Sequence, residues 1–149
     1  MFDKTKIIPI GSDHGGYEMK LFLIKKLVEK GYQFKDFGTN SDESVDYPDF
    51  IHPVAHLIND GIHEFGIIIC GSGQGASMTA NKYQNVRAAL CWNIEQTKLT
   101  RLHNNANIIA LPGRFLNFKL ATEMVVTFLN TEFEGGRHIQ RINKIPLIV

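Results

Sequence analysis

A glycine-rich turn follows the most apolar short segment of the chain. Residues 70–75 spell Cys-Gly-Ser-Gly-Gln-Gly, directly after the run Gly-Ile-Ile-Ile. Glycines at alternate positions let the backbone turn sharply and aim successive N–H groups into one concavity, which is typical of an anion site. The same N–H groups would stabilise a thiolate, so Cys70 is either a reactive thiol or a small apolar residue that ends a strand. Cys91 has no such turn beside it, and we expect it to be structural.

The turn also matches a loose dinucleotide-binding pattern through Gly71, Gly73 and Ala76. A ribose-binding acid would be expected at the end of the following strand, but the chain there reads Cys-Trp-Asn, which counts against a dinucleotide. The Lys-Ser/Thr pair of a P-loop does not follow the turn either. A Rossmann-type nucleotide-binding module is therefore a less favoured alternative, as is a Cys/His acyl-transfer enzyme built on Cys70 and His103.

A second glycine-rich turn, Gly-Ser-Asp-His-Gly-Gly at 11–16, also follows an apolar run. Asp13 and Ser12 have the residue types of helix caps, and capping is the simplest interpretation. The same turn places Asp13 beside His14 on the ligand-facing rim, where Asp13 is suited to a sugar hydroxyl and His14 to a phosphate. Asp46, at the start of another helical segment, is interpreted as a cap.

Histidine, asparagine and arginine side chains supply the remaining candidates. His103 ends a helical segment, where it either complements the helix dipole or transfers protons, and three asparagines follow within four residues. Arg137 and Arg141 are four residues apart, so they form either a solvated basic face or a clamp for a phosphate. Arg114, after another apolar run, is placed to join that clamp. With the thiol and the glycine turn, these groups predict one site for a phosphorylated substrate.

The elements that must position these groups alternate along the chain. Apolar runs without polar alternation predict strands buried on both faces, and the β-α-β-α order requires a parallel sheet with right-handed connections. We predict a single α/β domain over 1–149, with a doubly wound, Rossmann-like, five-stranded parallel sheet flanked by helices. Ligands in such folds bind beyond the carboxyl ends of the strands. The predicted strands are 6–10, 32–37, 66–70, 86–91 and 106–111, and the predicted helices are 17–30, 48–60, 76–83, 94–102 and 116–129.

Length and composition exclude several functional classes. A chain of 149 residues is about one domain. Its net charge of +1 provides no excess of positive charge for binding nucleic acid or a membrane surface. The apolar runs are far shorter than the ~20 residues of a membrane span, and the N-terminus has no signal-peptide pattern. Two isolated cysteines do not form a disulfide framework, so we expect a reducing, cytoplasmic setting.

Six segments, in order along nearly the whole chain, together resemble the ribose-5-phosphate isomerase B family, which includes the allose- and galactose-6-phosphate isomerases. They are GSDHGG (11–16), DYPD (46–49), GIIICGSGQGASMTANK (66–82), VRAALC (86–91), RLHNNANIIAL (101–111) and EGGRHIQRINKI (134–145). The resemblance implies aldose–ketose isomerisation of ribose 5-phosphate to ribulose 5-phosphate in the non-oxidative pentose phosphate pathway, through an enediolate and without cofactor or metal. A 6-phosphohexose isomerase is the alternative.

The resemblance also implies a role for each candidate. His103, assisted by Asp13, would open the furanose ring; Cys70 would carry a proton between C2 and C1; and Ser72 would help move a proton between the two oxygens. The C-terminal segment, about 131–149, would pack on a partner subunit, which makes a homodimer the minimum active unit and leaves a tetramer open. The implied substrate-binding residues are His14, Tyr47, Gly71, Gly73, Gln74, Gly75, Asn104, Arg114, Arg137, His138 and Arg141.

Overall fold

The computed structural model describes residues 1–148 as five strands and six helices. The strands are β1 (Ile7–Ser12), β2 (Gln33–Asp36), β3 (Gly66–Cys70), β4 (Ala88–Leu90) and β5 (Ile108–Pro112). The helices are α1 (Tyr17–Val28), α2 (Tyr47–Asn59), α3 (Gln74–Ala80), α4 (Ile94–Asn104), α5 (Phe118–Asn130) and α6 (Arg137–Ile142). None of the helices described in this range is long and apolar enough to cross a membrane.

All five strands form one parallel sheet in the order β2-β1-β3-β5-β4. This confirms the predicted α/β class and the five-stranded parallel sheet. Every residue of β3 is buried, because helices cover both faces of the sheet. Ile67 and Ile69 pack into the core under α1 and α5, whereas Ile68 and Cys70 pack into the core under α2 and α3. Burial on both faces explains why the sequence of β3 is apolar throughout.

Strand register determines which loops share an edge. In the β3–β5 pair, Gly66 lies opposite Ile108 and Cys70 lies opposite Pro112. Because the strands are parallel, the turns that follow β1, β3 and β5 leave the sheet at the same carboxyl edge. Each helix that follows a strand runs back toward the amino edge, so the last turn of α4 lies where β5 begins. There the Gly66 N–H donates to the Asn107 carbonyl at 3.0 Å.

Several elements have other bounds than the sequence predicted. The strand predicted over 86–91 is reduced to Ala88–Leu90 at the edge of the sheet. The amide side chain of Asn81 binds both the N–H and the carbonyl of Ala88, each at 2.9 Å. The helix predicted over 76–83 ends at Ala80. The segment from 131 onward, for which no helix was predicted, contains α6, which packs against α4 of the same chain.

Candidate active site

Three loops meet at the carboxyl edge through glycine backbone. A Cβ built on Gly15 would lie 2.9 Å from both the N and Cα of Gly71, and one built on Gly113 would lie 2.7 Å from the Gly15 carbonyl oxygen. The Gly113 N–H donates to the Cys70 carbonyl at 2.9 Å, and the Arg114 N–H donates to the Gly71 carbonyl at 3.0 Å. The turns after β1, β3 and β5 therefore form one continuous surface, as the rule for ligand sites in parallel sheets predicts.

Cys70 lies at the centre of this surface, as the last residue of β3, and is only 4% exposed. The 71–75 turn that follows Cys70 needs glycine at 73, where φ is +74° and a Cβ would lie 2.5 Å from Leu90 Cδ1. Ser72 Oγ accepts a hydrogen bond from the Gln74 N–H at 3.3 Å. The thiol is thus followed at once by a tight turn, a hydroxyl and the first turn of α3.

Asp13 and His14 lie in the turn after β1 and have different surroundings. Asp13 is buried, and its Oδ1 accepts the Gly16 N–H at 3.2 Å. The cap position of α1 is Gly16, so the interpretation of Asp13 or Ser12 as the helix cap is wrong. The Nδ1 atom of His14 accepts the Val45 N–H at 3.2 Å, which leaves Nε2 as the nitrogen able to donate to a ligand.

Arg114 and His14 line the same cavity, of about 270 Å³. The guanidinium of Arg114 lies over Gly71, with Nη1 3.1 Å from where a Cβ of residue 71 would be. An imidazole and a guanidinium beside half-buried glycine backbone are suited to a phosphate. The other residues around the cavity are Gly15, Glu18, Met19, Asp42, Gly113 and Phe118.

Tyr47 covers the opposite side of the β3 turn. Its ring packs so closely on Gly75 that a Cβ there would lie 2.5 Å from Tyr47 Cζ. Asp46 is the N-cap residue of α2, as predicted, yet among the described contacts its side chain makes no capping hydrogen bond. We call the assembly of Asp13, His14, Tyr47, Cys70, Arg114 and the 71–75 turn the thiol cleft.

A second group of predicted residues assembles at the end of α4. The imidazoles of His103 and His138 stack with ring centroids 4.5 Å apart and planes 14° apart. Glu134 Oε2 lies 3.6 Å from His103 Nε2 and 3.4 Å from His138 Nε2. The Glu134 N–H donates to the Leu102 carbonyl at 3.1 Å, which holds the C-terminal segment on α4. We call His103, Glu134 and His138 the histidine cluster; Asn104, Arg137 and Arg141 are exposed around it.

Arg101, for which the sequence predicted no role, joins α4 to Thr131 at the start of the C-terminal segment. Its guanidinium is buried, donates to the Thr131 carbonyl at 3.1 Å and the Asn105 side chain at 2.8 Å, and lies 4.6 Å from the Phe65 ring centroid. Burial lowers the pKa of this guanidinium to about 10. A lone arginine in a polar segment carries no sequence signal for burial, because its partners come from three separate elements.

The thiol cleft and the histidine cluster lie at opposite edges of the sheet. Cys70 is at the carboxyl edge, whereas α4 runs back and carries His103, in its last turn, toward the amino edge where β5 begins. The four residue steps from Gly66 to Cys70 alone span ~13 Å at ~3.3 Å per residue. Within a single chain the predicted site residues therefore form two separate clusters, one at each edge of the sheet.

Comparisons with known proteins give a consistent result. Residues 8–145 match the family model described as ribose/galactose isomerase. Ribose-5-phosphate isomerase B of Escherichia coli strain K12 is 39% identical over 143 residues, which are 96% of each chain. The crystal structure of a ribose 5-phosphate isomerase from Thermotoga maritima superposes with a TM-score of 0.92 at 48% identity, covering 95% of this chain and 97% of that one. Ribose-5-phosphate isomerase B of Mycoplasma genitalium, solved with bound ribulose 5-phosphate, gives a TM-score of 0.89 at 40% identity and covers 93% of each chain.

Proposed function

The chain belongs to the ribose/galactose isomerase family, and from that premise we propose that it interconverts ribose 5-phosphate and ribulose 5-phosphate through an enediolate. The observation that carries this proposal is the place of Cys70. A thiol ends the central strand where three glycine loops converge, and residues of two of these loops, after β1 and β5, line the His14–Arg114 cavity. A proton-abstracting group and a phosphate site on one small surface are what isomerisation of a sugar phosphate requires.

In the proposed chemistry the Cys70 thiolate removes the proton from C2 of the open-chain aldose. The electron pair forms the C1–C2 double bond and the C1 oxygen becomes negatively charged. Ser72 assists transfer of the O2 proton to O1, and the thiol then returns its proton to C1, which leaves a ketone at C2. Backbone N–H groups of the 71–75 turn face the charge as it develops. Each such donor is worth roughly 2.7–4 kcal/mol in the transition state, because it is oriented before the reaction begins.

Opening of the sugar ring is the proposed task of the histidine cluster. We assign it to His103, which protonates the ring oxygen as the C1–O bond breaks while Asp13 accepts the proton of the C1 hydroxyl. Because His103 and Cys70 lie at opposite edges of one chain, this assignment requires two chains. The histidine cluster of one subunit then completes the thiol cleft of its partner, and Asn104, Arg137, His138 and Arg141 enter that cleft with it.

Features of the exposed surface support a homodimer of this kind. Arg137 and Arg141 lie exposed on α6, and neither forms an ion pair within residues 1–148. Two unpaired guanidiniums on one short helix suit a phosphate supplied by another chain. The rings of Trp92 and Phe115 pack in a tilted arrangement beside the carboxyl edge, with centroids 5.7 Å apart. They are 40% and 64% exposed, as expected for side chains that a partner covers.

Mixed dimers test the shared site directly. Cys70→Ala and His103→Asn chains should each be inactive alone. Co-expressed with two different tags, they should recover about a quarter of wild-type activity, because half of randomly assembled dimers are mixed and each has one intact site. Co-expression of Cys70→Ala with the Cys70→Ala/His103→Asn double variant is the control and should recover nothing.

If both residues served the same subunit's site, the mixed dimer would have no intact site and the first pair would also stay inactive. The substrate is tested separately by comparing ribose 5-phosphate with allose and galactose 6-phosphates. A preference for a hexose would replace the proposed substrate while leaving the reaction class unchanged.

A further inference from the structure

The histidine cluster has the composition and spacing of a transition-metal site. We propose that His103, Glu134 and His138 bind a Zn²⁺ ion, and that the bound ion blocks isomerisation. The binding site stands on the geometry of this chain alone. The effect on turnover rests on the proposed function, because it is the proposed role of His103 that the metal would prevent.

The ligand atoms are already close to the positions that zinc requires. Tetrahedral zinc with ligands at about 2.0–2.2 Å holds neighbouring ligand atoms about 3.3–3.5 Å apart. Glu134 Oε2 lies 3.4 Å from His138 Nε2 and 3.6 Å from His103 Nε2. All three ligand atoms lie within 4.8 Å of one another. Two of the three ligand–ligand distances thus need to change by a few tenths of an ångström at most.

The remaining adjustment falls on the side chains that are free to move. The two imidazoles are nearly parallel, so one ring has to tilt before both lone pairs converge on a single ion. His138 is held, with a side chain only 8% exposed, whereas the side chains of His103 and Glu134 are 39% and 58% exposed. Because His138 stays in place while His103 and Glu134 can reorient, the three side chains can surround an ion without disturbing α4 or α6.

The donor set favours zinc over the abundant hard cations. Two neutral imidazoles and one carboxylate, with a fourth position open to water, are a set that zinc uses in proteins. Magnesium and calcium prefer oxygen ligands alone. A zinc ion held by Nε2 of His103 occupies the lone pair through which this imidazole would exchange protons with the sugar.

Calorimetric titration of the purified full-length protein with ZnCl₂ tests the site without reference to activity. One ion should bind per chain, and Glu134→Gln should bind it about tenfold more weakly or worse, since a ligand is lost. The matched control is Glu132→Gln, two residues away, because Glu132 is 90% exposed and contacts only the N-terminal ammonium at 3.7 Å among the described residues. This control should bind zinc like the wild type.

Cobalt substitution identifies the ligands, since the chain also contains two thiols. Thiolate ligands give Co²⁺ an intense near-ultraviolet charge-transfer band that nitrogen and oxygen ligands lack. A tetrahedral visible spectrum without that band supports the histidine cluster. A thiolate band, no binding at micromolar zinc, or unchanged binding by Glu134→Gln would each overturn the site.

Measurement of turnover in the presence of zinc tests the blocking effect separately from zinc binding. Zinc should inhibit the wild type and the Glu132→Gln control, and inhibit Glu134→Gln only at about tenfold higher concentration. MgCl₂ at the same concentration should not inhibit. If zinc binds as described and turnover is unaffected, the blocking effect is refuted together with the role of His103, while the metal site stands.

Discussion

The ammonium of Lys20 is completely buried and lies 2.6 Å from Oδ1 of Asp36. It also donates to the Thr39 carbonyl at 2.6 Å, so it ties α1 to the loop that follows β2. That loop in turn exchanges backbone hydrogen bonds with Ser12, directly before Asp13 of the thiol cleft. A buried charge in α1 therefore helps to hold the loop that carries Asp13 and His14.

Lys20→Met should lower the free energy of unfolding by about 3 kcal/mol, because it leaves Asp36 and a buried carbonyl without their cation. Urea denaturation measures the change. Lys25→Met is the control on the same helix; Lys25 is exposed, and its loss should change stability by about 0.5 kcal/mol or less. Equal effects of the two substitutions would contradict a structural role for the buried pair.

Gly15→Ala and Gly71→Ala should have different effects on stability and on substrate binding. At Gly15 the added methyl group meets the backbone of Gly71, which cannot move independently, so we expect a loss of about 1–3 kcal/mol in stability and of most activity. At Gly71 it meets the flexible side chain of Arg114. Here stability should change by less than ~1 kcal/mol, while KM for the sugar phosphate rises about tenfold as the guanidinium is displaced. Thermal unfolding and steady-state kinetics distinguish the two, and an unchanged KM in Gly71→Ala would argue against Arg114 as a phosphate ligand.

Cys91 should behave as a structural thiol with its own pH dependence. It is fully buried, and burial raises the pKa of its thiol from 9.0 to about 11. Between these values the unfolded chain has lost the proton that the folded chain still holds, so the stability this group confers is complete below pH 9 and is lost as pH rises toward 11. Stability should therefore fall less steeply over this range in Cys91→Ala than in the wild type. Isomerase activity should persist in Cys91→Ala; its loss would show that the roles assigned to the two cysteines are incomplete.

The roles of His103 and Cys70 can be separated with a substrate that has no ring to open. An aldotetrose 4-phosphate cannot close a furanose, because its terminal oxygen is esterified. His103→Asn should lose about 10² or more in kcat/KM on ribose 5-phosphate yet retain most of its activity on D-erythrose 4-phosphate, whereas Cys70→Ala should lose both. A coupled assay on the two sugars measures the ratio. Equal losses in His103→Asn on both substrates would refute ring opening as the function of this residue.

Local patterns were enough to predict the sheet and the thiol cleft. An all-apolar strand such as β3, the glycines at 71, 73 and 75 and the turn at 11–16 are contiguous in the sequence, and each has a direct backbone consequence. Once a parallel sheet is predicted, the turns after its strands must meet at one edge. Cys70, Asp13, His14 and Arg114 follow from that rule alone, and the structure brings them together.

Long-range placement was decided by the tertiary structure. His103 and Cys70 have the residue types of one catalytic site, but α4 runs antiparallel to the strands and carries His103 to the far edge of the sheet. The burial of Lys20 and Arg101 is likewise invisible in sequence, since a charged side chain can enter the core only where carbonyls and carboxylates from other elements surround it. Glu134 gains its contacts with two imidazoles only because α6 folds back on α4. Residue types and their spacing determine which chemistry is available to this chain; the direction of each helix determines which groups can meet.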